Sequence, residues 1–177
     1  YRIAEPTVRR IPLVFSSPHS GCDYPAAFVA GARLDPVTLR RSEDAFVDEL
    51  FDCAPRHGAP LLKALFPRAY VDVNREAWEL DPAMFDGPLP SFVNAASPRA
   101  GAGLGTVARI VAHGAEIYRD KLHFEEARKR IEALYMPYHA ALEGLVAGAV
   151  SGHGRCLLID CHSMPSVGGP SDRDPGR

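Results

Sequence analysis

Two histidines of this sequence stand where chemistry could take place. His19 follows the apolar run 11–17, and His162 follows the apolar run 156–160. Two histidines and one carboxylate form a common ligand set of catalytic zinc sites, which leave one coordination position for water or substrate. A single histidine after a strand is more often a hydrogen-bonded loop residue. The pair is therefore a candidate metal site that still needs a carboxylate.

The carboxylate of such a site is not determined by the sequence pattern. Asp44 competes with Glu43 and Asp48 in a stretch predicted to be helical, and carboxylates on helix surfaces are usually solvated. Asp160 lies two residues before His162 and therefore on the same side of a strand. We expect Asp160 either to accept a hydrogen bond from an imidazole of the metal site or to serve as a structural carboxylate.

A further group of polar residues is suited to binding an acidic substrate. Arg68 and Arg75 flank a predicted strand segment, and Asn74 directly precedes Arg75. Guanidinium groups bind carboxylates through two parallel hydrogen bonds. A surface position is the commoner role of arginine, and the pattern leaves both roles open.

The remaining histidines and the cysteines favour structural roles. Tyr138 and His139 lie in a predicted helix, where core packing with a hydrogen-bonded polar tip is the simpler interpretation. Surface positions are expected for the other histidines, which are His57, His113, His123 and His153. The four cysteines include no C-x-x-C pair, which disfavours a thiolate zinc knuckle and favours buried free thiols.

The elements that must position these residues follow from the apolar pattern. Strands are predicted at 11–17, 61–66, 69–73 and 156–160. A loop followed by a helix is predicted over 35–57, beginning at Asp35-Pro36 and with Asp44 near the helix start, and two helical segments are predicted over 117–150 with a break at Pro137. The stretch 78–105 is rich in proline, glycine, serine and alanine, which indicates a long irregular loop.

This alternation predicts a single α/β domain over residues 1–177, with a mostly parallel or mixed sheet flanked by helices. In such sheets, ligands bind beyond the carboxyl ends of the strands. His19, Asn74, Arg75 and His162 all follow predicted strands. We therefore expect these four residues to meet at one edge of the sheet.

Composition and charge exclude several classes of function. The net charge of −2 and the lack of a basic tract argue against binding to nucleic acid or to an anionic membrane surface. No apolar stretch has the length of ~20 residues that a membrane-spanning helix needs. Residues 1–10 lack the apolar centre of a secretory signal, so a cytoplasmic location is the default expectation.

Five blocks of the sequence carry a family resemblance. They are SSPHSG (16–21), SEDAFVDELF (42–51), RAYVDVNRE (68–76), MPYHAALEGL (136–145) and LLIDCHSMPS (157–166). In this order and spacing they resemble the N-formylglutamate amidohydrolase family. The resemblance implies an α/β fold of the zinc-dependent exopeptidase type, similar to phosphorylase/hydrolase folds. It also implies hydrolysis of N-formyl-L-glutamate to formate and L-glutamate, a step in histidine degradation.

The resemblance implies one zinc ion held by His19, Asp44 and His162. The wider group of related deacylases has a glutamate three residues after its first histidine, where this chain has Cys22. Either Asp44 replaces that glutamate or Cys22 binds the metal. We expect Asp44, because an oxygen ligand keeps the metal more Lewis acidic.

The same resemblance gives roles to the polar group around residue 70. Asn74 and Arg75 are expected to hold a substrate carboxylate, and Arg68 is expected to polarise the scissile carbonyl. The substrate would be a small acidic N-acyl amino acid. The sequence gives no indication of the oligomeric state.

The general base of the family lies late in the chain, and this sequence ends soon after His162. We therefore expect that the C-terminal part of the domain is missing from these 177 residues and that the base lies beyond them. Three alternatives stay open: a deacylase of another N-acyl amino acid, a non-catalytic metal-binding relative, and a structural domain without metal.

Overall fold

Strands and helices alternate along residues 1–164, the part of the chain that this computed structural model describes. The strands are β1 Arg2–Ala4, β2 Leu13–Ser17, β3 Leu61–Lys63, β4 Ile110–Val111, β5 Ala115–Glu116 and β6 Leu157–Asp160. The α-helices are α1 Ala26–Gly31, α2 Pro36–Leu39, α3 Val47–Leu50, α4 Pro98–Gly101, α5 Phe124–Arg130 and α6 Met136–His153. None of these helices is long and apolar enough to cross a lipid bilayer.

The main sheet of the described residues has the strand order β1-β3-β2-β6. β2 is parallel to both of its neighbours, with Phe15 opposite Leu61 of β3 and Ile159 of β6. β1 runs antiparallel to β3, so the sheet is mixed. The predicted α/β class is thereby confirmed. Because β2 and β6 are parallel neighbours, the residues that follow them lie at the same edge of the sheet.

Helix α6 packs against the central strand of this sheet. The side chain of Tyr138 is buried, and its hydroxyl oxygen lies 2.9 Å from the hydroxyl oxygen of Ser16 in β2. Val14, Ile131 and Leu145 belong to the same buried cluster. A buried tyrosine whose hydroxyl has a hydrogen-bond partner contributes apolar area without an unpaired polar atom. The interpretation of Tyr138 as a core residue is confirmed.

Residues 35–57, predicted as a loop followed by one helix, instead contain the two short helices α2 and α3, with Asp44 between them. Asp35 caps α2 as expected, since its Oδ1 accepts hydrogen bonds from the backbone N–H groups of Val37 and Thr38 at 2.9 and 3.1 Å. The chain then continues through a 3₁₀ turn and an extended residue, and Phe46 has a φ of +66°. The helical pattern is interrupted because the backbone N–H of Asp44 donates to the carbonyl of His19 at 3.0 Å.

The predicted strand at 69–73 is also wrong. Val71 and Val73 are buried, but the segment is a series of turns in which the N–H of Tyr70 donates to the carbonyl of Pro67 at 2.9 Å. The N–H of Asp72 donates instead to the carbonyl of Thr106 at 2.8 Å. Alternating apolar residues therefore report burial here rather than sheet pairing.

The predicted break at Pro137 takes the form of a local widening of the helix. α5 continues into α6 through the π-helical turn Ile131–Tyr135, which directly precedes Pro137. Proline has no backbone N–H to donate to the carbonyl four residues earlier, and a wider turn relieves that conflict. The helical run begins at Phe124 rather than at 117, because Ile117 is buried beside the β4–β5 hairpin.

Gly21 fits a position where the chain passes directly over another backbone segment. A Cβ at this residue would overlap the carbonyl oxygen of Phe66 and the backbone of Leu65. We expect Gly21→Ala to lower the free energy of unfolding by about 1–3 kcal/mol, because one of the two segments must move. Urea unfolding measures this change. Gly31→Ala is the matched control, because a Cβ there meets nothing within 4 Å and should change stability little. Equal stabilities of the two variants would contradict the close approach.

Candidate metal centre

Three separate segments bring the candidate ligands together. His19 follows β2, His162 follows β6, and Asp44 lies in the interruption between α2 and α3. The backbone N–H of Cys161 donates to the carbonyl of Ser16 at 2.7 Å, which fixes the two strand ends beside each other. One potential ligand atom from each of the three side chains lies within 4.8 Å of the others. His19 and His162, two of the four residues expected to meet at one edge of the sheet, therefore lie together there.

Both imidazole rings present the same nitrogen to Asp44. Nδ1 of His19 lies 3.5 Å from Oδ2 of Asp44, and Nδ1 of His162 lies 2.8 Å from the same oxygen. On the opposite side of each ring, Nε2 of His19 contacts Asp72 Oδ1 at 2.8 Å, and Nε2 of His162 contacts Asp160 Oδ2 at 2.8 Å. Metal-binding histidines typically have such a carboxylate on the nitrogen that faces away from the metal.

The surroundings of the His19 ring indicate whether a zinc ion fits this site. The residue is 2% exposed, and its Nδ1 is buried without a hydrogen-bond partner among the described residues. An unpaired buried polar atom costs about 1–3 kcal/mol, which a bound cation would remove. Two imidazole nitrogens and one carboxylate oxygen are also donors that zinc commonly takes. The residues present therefore fit the ion that the resemblance implies.

The carboxylates of the centre are held in their ionised form. Burial opposes ionisation of Asp44, but the hydrogen bond from His162 and the close imidazole of His19 outweigh it and lower its pKa to about 2. Burial likewise acts against ionisation of Asp72, yet its contacts with His19, Arg68 and Arg75 hold its pKa well below the usual range. At neutral pH both carboxylates are charged. A metal ligand such as Asp44 must be ionised, and a charged Asp72 favours metal binding by the histidine that it contacts.

Asp72 connects the centre to the polar group around residue 70. Its Oδ1 accepts from the backbone N–H of Asn74 at 2.9 Å as well as contacting His19, and its Oδ2 accepts from Nε of Arg68 at 3.0 Å. Arg75 lies 3.7 Å from the same Oδ2. Sequence reasoning missed this residue. The available signal was an aspartate between the two apolar residues Val71 and Val73, where burial demands a charged or hydrogen-bonded partner.

The three predicted substrate residues take different positions. Arg68 lines the main cavity, and only its Nε is engaged with Asp72. The amide nitrogen of Asn74 donates to Asp160 Oδ2 at 2.7 Å and lies 2.9 Å from Nε2 of His162. Arg75 lies beside Asp72 but donates its hydrogen bonds to the backbone carbonyls of Leu104 at 2.9 Å and Asn74 at 3.0 Å. The roles of these residues toward substrate stay predictions.

The competing ligands lie away from the cluster. Cys22 is exposed and lines a separate cavity of about 140 Å³. Asp48 lines that cavity too, and its Oδ2 lies 3.5 Å from Nζ of Lys63. Glu43 accepts from Nε and a terminal nitrogen of Arg40 at 3.1 and 3.0 Å. Within residues 1–164, none of the three belongs to the group of donors around His19.

The thiols and the remaining histidines have structural or surface positions. The expectation of a buried thiol is confirmed for Cys161, whereas Cys53 and Cys156 are half-buried and Cys22 is exposed. Nε2 of His139 donates to the carbonyl of Val73 at 2.8 Å, in agreement with a hydrogen-bonded packing role. The four histidines expected at the surface are exposed; they are His57, His113, His123 and His153.

The candidate centre opens onto a cavity of about 560 Å³. Asp44, Asp72 and Ser163 form one part of its wall, and the Ser163 hydroxyl donates to Asp44 Oδ1 at 3.2 Å. The β4–β5 hairpin contributes to the wall as well. Cavities of about 300–1,000 Å³ accommodate small-molecule ligands. The space beside the three side chains is thus large enough for an N-acyl amino acid.

Comparisons with known proteins give a consistent result. Residues 11–176 match the N-formylglutamate amidohydrolase family. The N-formylglutamate deformylases of Pseudomonas aeruginosa and Pseudomonas putida are each 28% identical to the chain over 159 residues, which cover 89% of this chain and 53% of either relative. The crystal structure of an N-formylglutamate amidohydrolase from Ralstonia eutropha JMP134 is 41% identical with a TM-score of 0.85, over 93% of this chain and 57% of that one. The chain spans about half the length of the curated relatives that it matches.

Proposed function

The chain belongs to the N-formylglutamate amidohydrolase family, and on this premise we propose that its protein hydrolyses N-formyl-L-glutamate to formate and L-glutamate with the help of one zinc ion. The observation that carries the proposal is the meeting of His19, Asp44 and His162 beside the 560 Å³ cavity. The names of the relatives support the substrate. The buried, unpaired Nδ1 of His19 supports the metal.

In this proposal the three side chains hold the zinc ion and their carboxylate partners orient them. A zinc ion in such a site lowers the pKa of a bound water molecule and polarises a carbonyl oxygen. Asp72 fixes the His19 ring through its Nε2, and Asp160 does the same for His162. Asn74 donates to Asp160 and thereby restrains that second carboxylate.

Arg68 is the proposed catalytic arginine. Its Nε donates to Asp72, its terminal nitrogens have no hydrogen bond to that carboxylate, and the residue lines the cavity beside the centre. A guanidinium there would stabilise the negative charge that develops on the formyl oxygen. Asn74 and Arg75 are proposed to bind a substrate carboxylate, as the resemblance implies.

Formate release from the zinc-loaded intact protein tests the proposed reaction. We expect N-formyl-L-glutamate to be the preferred substrate over its N-acetyl and N-succinyl counterparts and over N-formyl-L-aspartate. Treatment with a chelator should abolish the activity, and added zinc should restore it. Preference for another acyl group would favour a different deacylase. Bound zinc without turnover of any of these compounds would favour a non-catalytic relative.

A further inference from the structure

Two consecutive arginines of the 3₁₀ turn Arg40–Ser42 have different surroundings. Arg40 is paired with Glu43 through two hydrogen bonds at 3.0 and 3.1 Å and lines the smaller, 140 Å³ cavity. Arg41 lines the 560 Å³ cavity whose wall includes Asp44 of the candidate metal centre. No carboxylate of residues 1–164 lies within ion-pair distance of Arg41. Arg41 is therefore a cavity-lining guanidinium without a carboxylate partner among these residues.

The chain that directly follows Arg41 is fixed by two hydrogen bonds. The neighbouring Ser42 accepts a hydrogen bond from the N–H of Ala112 at 3.2 Å, which links this turn to the β4–β5 hairpin. Asp44, three residues further on, is tied to His19 by its backbone N–H at 3.0 Å. The position of Arg41 relative to the candidate centre is thus set by short, hydrogen-bonded backbone rather than by a long free loop.

The charges of the cavity wall make this guanidinium important for an acidic ligand. Arg41 and Arg68 are the two arginines of the wall, and Glu43, Asp44 and Asp72 are its three carboxylates. Arg68 already shares its charge with Asp72 at 3.0 Å. A ligand with two carboxylates would be repelled by this wall unless a cation faces each end, and Arg41 is the cation without a partner among the described residues.

We propose that Arg41 binds the side-chain carboxylate of the substrate and makes the protein select acidic over neutral N-formyl amino acids. This inference rests on the proposed function. Arg68 lies beside Asp72 and therefore serves the reacting end of the substrate, whereas Arg41 serves the distal end. A charge-assisted hydrogen bond contributes about 1.5–3 kcal/mol, so its loss corresponds to a change of about 10- to 150-fold.

Substitution of Arg41 with two substrates that differ only in side-chain charge tests this assignment. We expect Arg41→Gln to lower kcat/KM for N-formyl-L-glutamate by about 10- to 150-fold, mostly through KM, and to change kcat/KM for N-formyl-L-glutamine less than about threefold. Arg41→Lys should recover part of the loss. Arg56→Gln, at an exposed arginine outside this cavity, is the matched control and should leave both substrates unchanged. Equal losses on both substrates, or none, would overturn the proposal.

A binding measurement separates this inference from the proposed reaction. Calorimetry with glutarate and pentanoate compares a dicarboxylate with a monocarboxylate of the same chain length. The wild-type protein should prefer glutarate, and Arg41→Gln should remove that preference. If no N-formyl amino acid is hydrolysed but the preference for glutarate depends on Arg41, the proposed reaction is wrong and the proposed carboxylate site is supported. If the wild type has no preference for glutarate, the carboxylate site is wrong whatever the protein hydrolyses.

Discussion

Replacing His19 with alanine is expected to abolish zinc binding and to reduce kcat/KM for N-formyl-L-glutamate by about 10³-fold or more. The variant keeps two of the three candidate ligands, and a zinc site of this kind needs three protein ligands to hold the ion. Loss of the ion removes several kcal/mol of stabilisation of developing charge, and each 1.36 kcal/mol of barrier is about tenfold in rate. The same outcome is expected for His162→Ala. Zinc-to-protein ratios and formate release measure both effects.

The control for this pair is His153→Ala. His153 is the last residue of α6 and is exposed, so its removal should leave zinc content and activity unchanged. Zinc content of Asp44→Ala is measured as well, since Asp44 was assigned from resemblance rather than from the sequence pattern. A His19→Ala protein that binds one zinc ion per chain with unchanged activity would place the metal elsewhere. If Asp44→Ala alone retained zinc, the carboxylate would have to come from another residue.

The second large effect is expected for Asp72→Asn. The substitution keeps the size of the side chain but removes the charge that contacts His19, Arg68 and Arg75 at 2.8, 3.0 and 3.7 Å. Loss of such a partner of a metal-binding histidine typically lowers metal affinity about 10- to 100-fold. Breaking a largely buried charge network also lowers the free energy of unfolding, here by about 2–4 kcal/mol. Chelator competition and urea unfolding measure the two quantities.

Asp52→Asn is the matched control for this charge. Asp52 also contacts a cation, Lys63, at 3.3 Å, but its side chain is 69% exposed. Exposed ion pairs contribute about 0–1 kcal/mol, so little change in stability and none in zinc affinity is expected. If Asp72→Asn and Asp52→Asn had equal effects, the contacts of Asp72 would have no special role in the centre.

The strands that carry the histidines could be predicted from the sequence for a physical reason. β2 is a largely buried apolar run, and β6 is a mostly exposed apolar run that pairs with it. Each run ends at a polar residue close to the histidine that follows. Local composition is enough to identify such runs, and the parallel arrangement then places His19 and His162 at one edge. This part of the site needed no knowledge of tertiary contacts beyond the fold class.

The remaining part of the site depends on contacts between distant segments. Asp44 reaches the centre because its N–H bonds to the His19 carbonyl, which interrupts a sequence with helical periodicity. Asp72 contacts both His19 and Arg68 because the segment around it folds as turns against Thr106 rather than as a strand. Arg41 faces the main cavity whereas its neighbour Arg40 is bound to Glu43, a difference that no spacing rule distinguishes. Sequence patterns report periodicity, and these three placements are not periodic.

A crystal structure of the zinc-loaded protein, with anomalous data at the zinc edge, tests whether His19, Asp44 and His162 hold a single zinc ion at the edge of the sheet. We expect one zinc peak, with an imidazole nitrogen of each histidine and a carboxylate oxygen of Asp44 at about 2.0–2.2 Å. A peak coordinated instead by the Cys22 thiolate at about 2.3 Å, or a peak remote from His19 and His162, would contradict this ligand assignment.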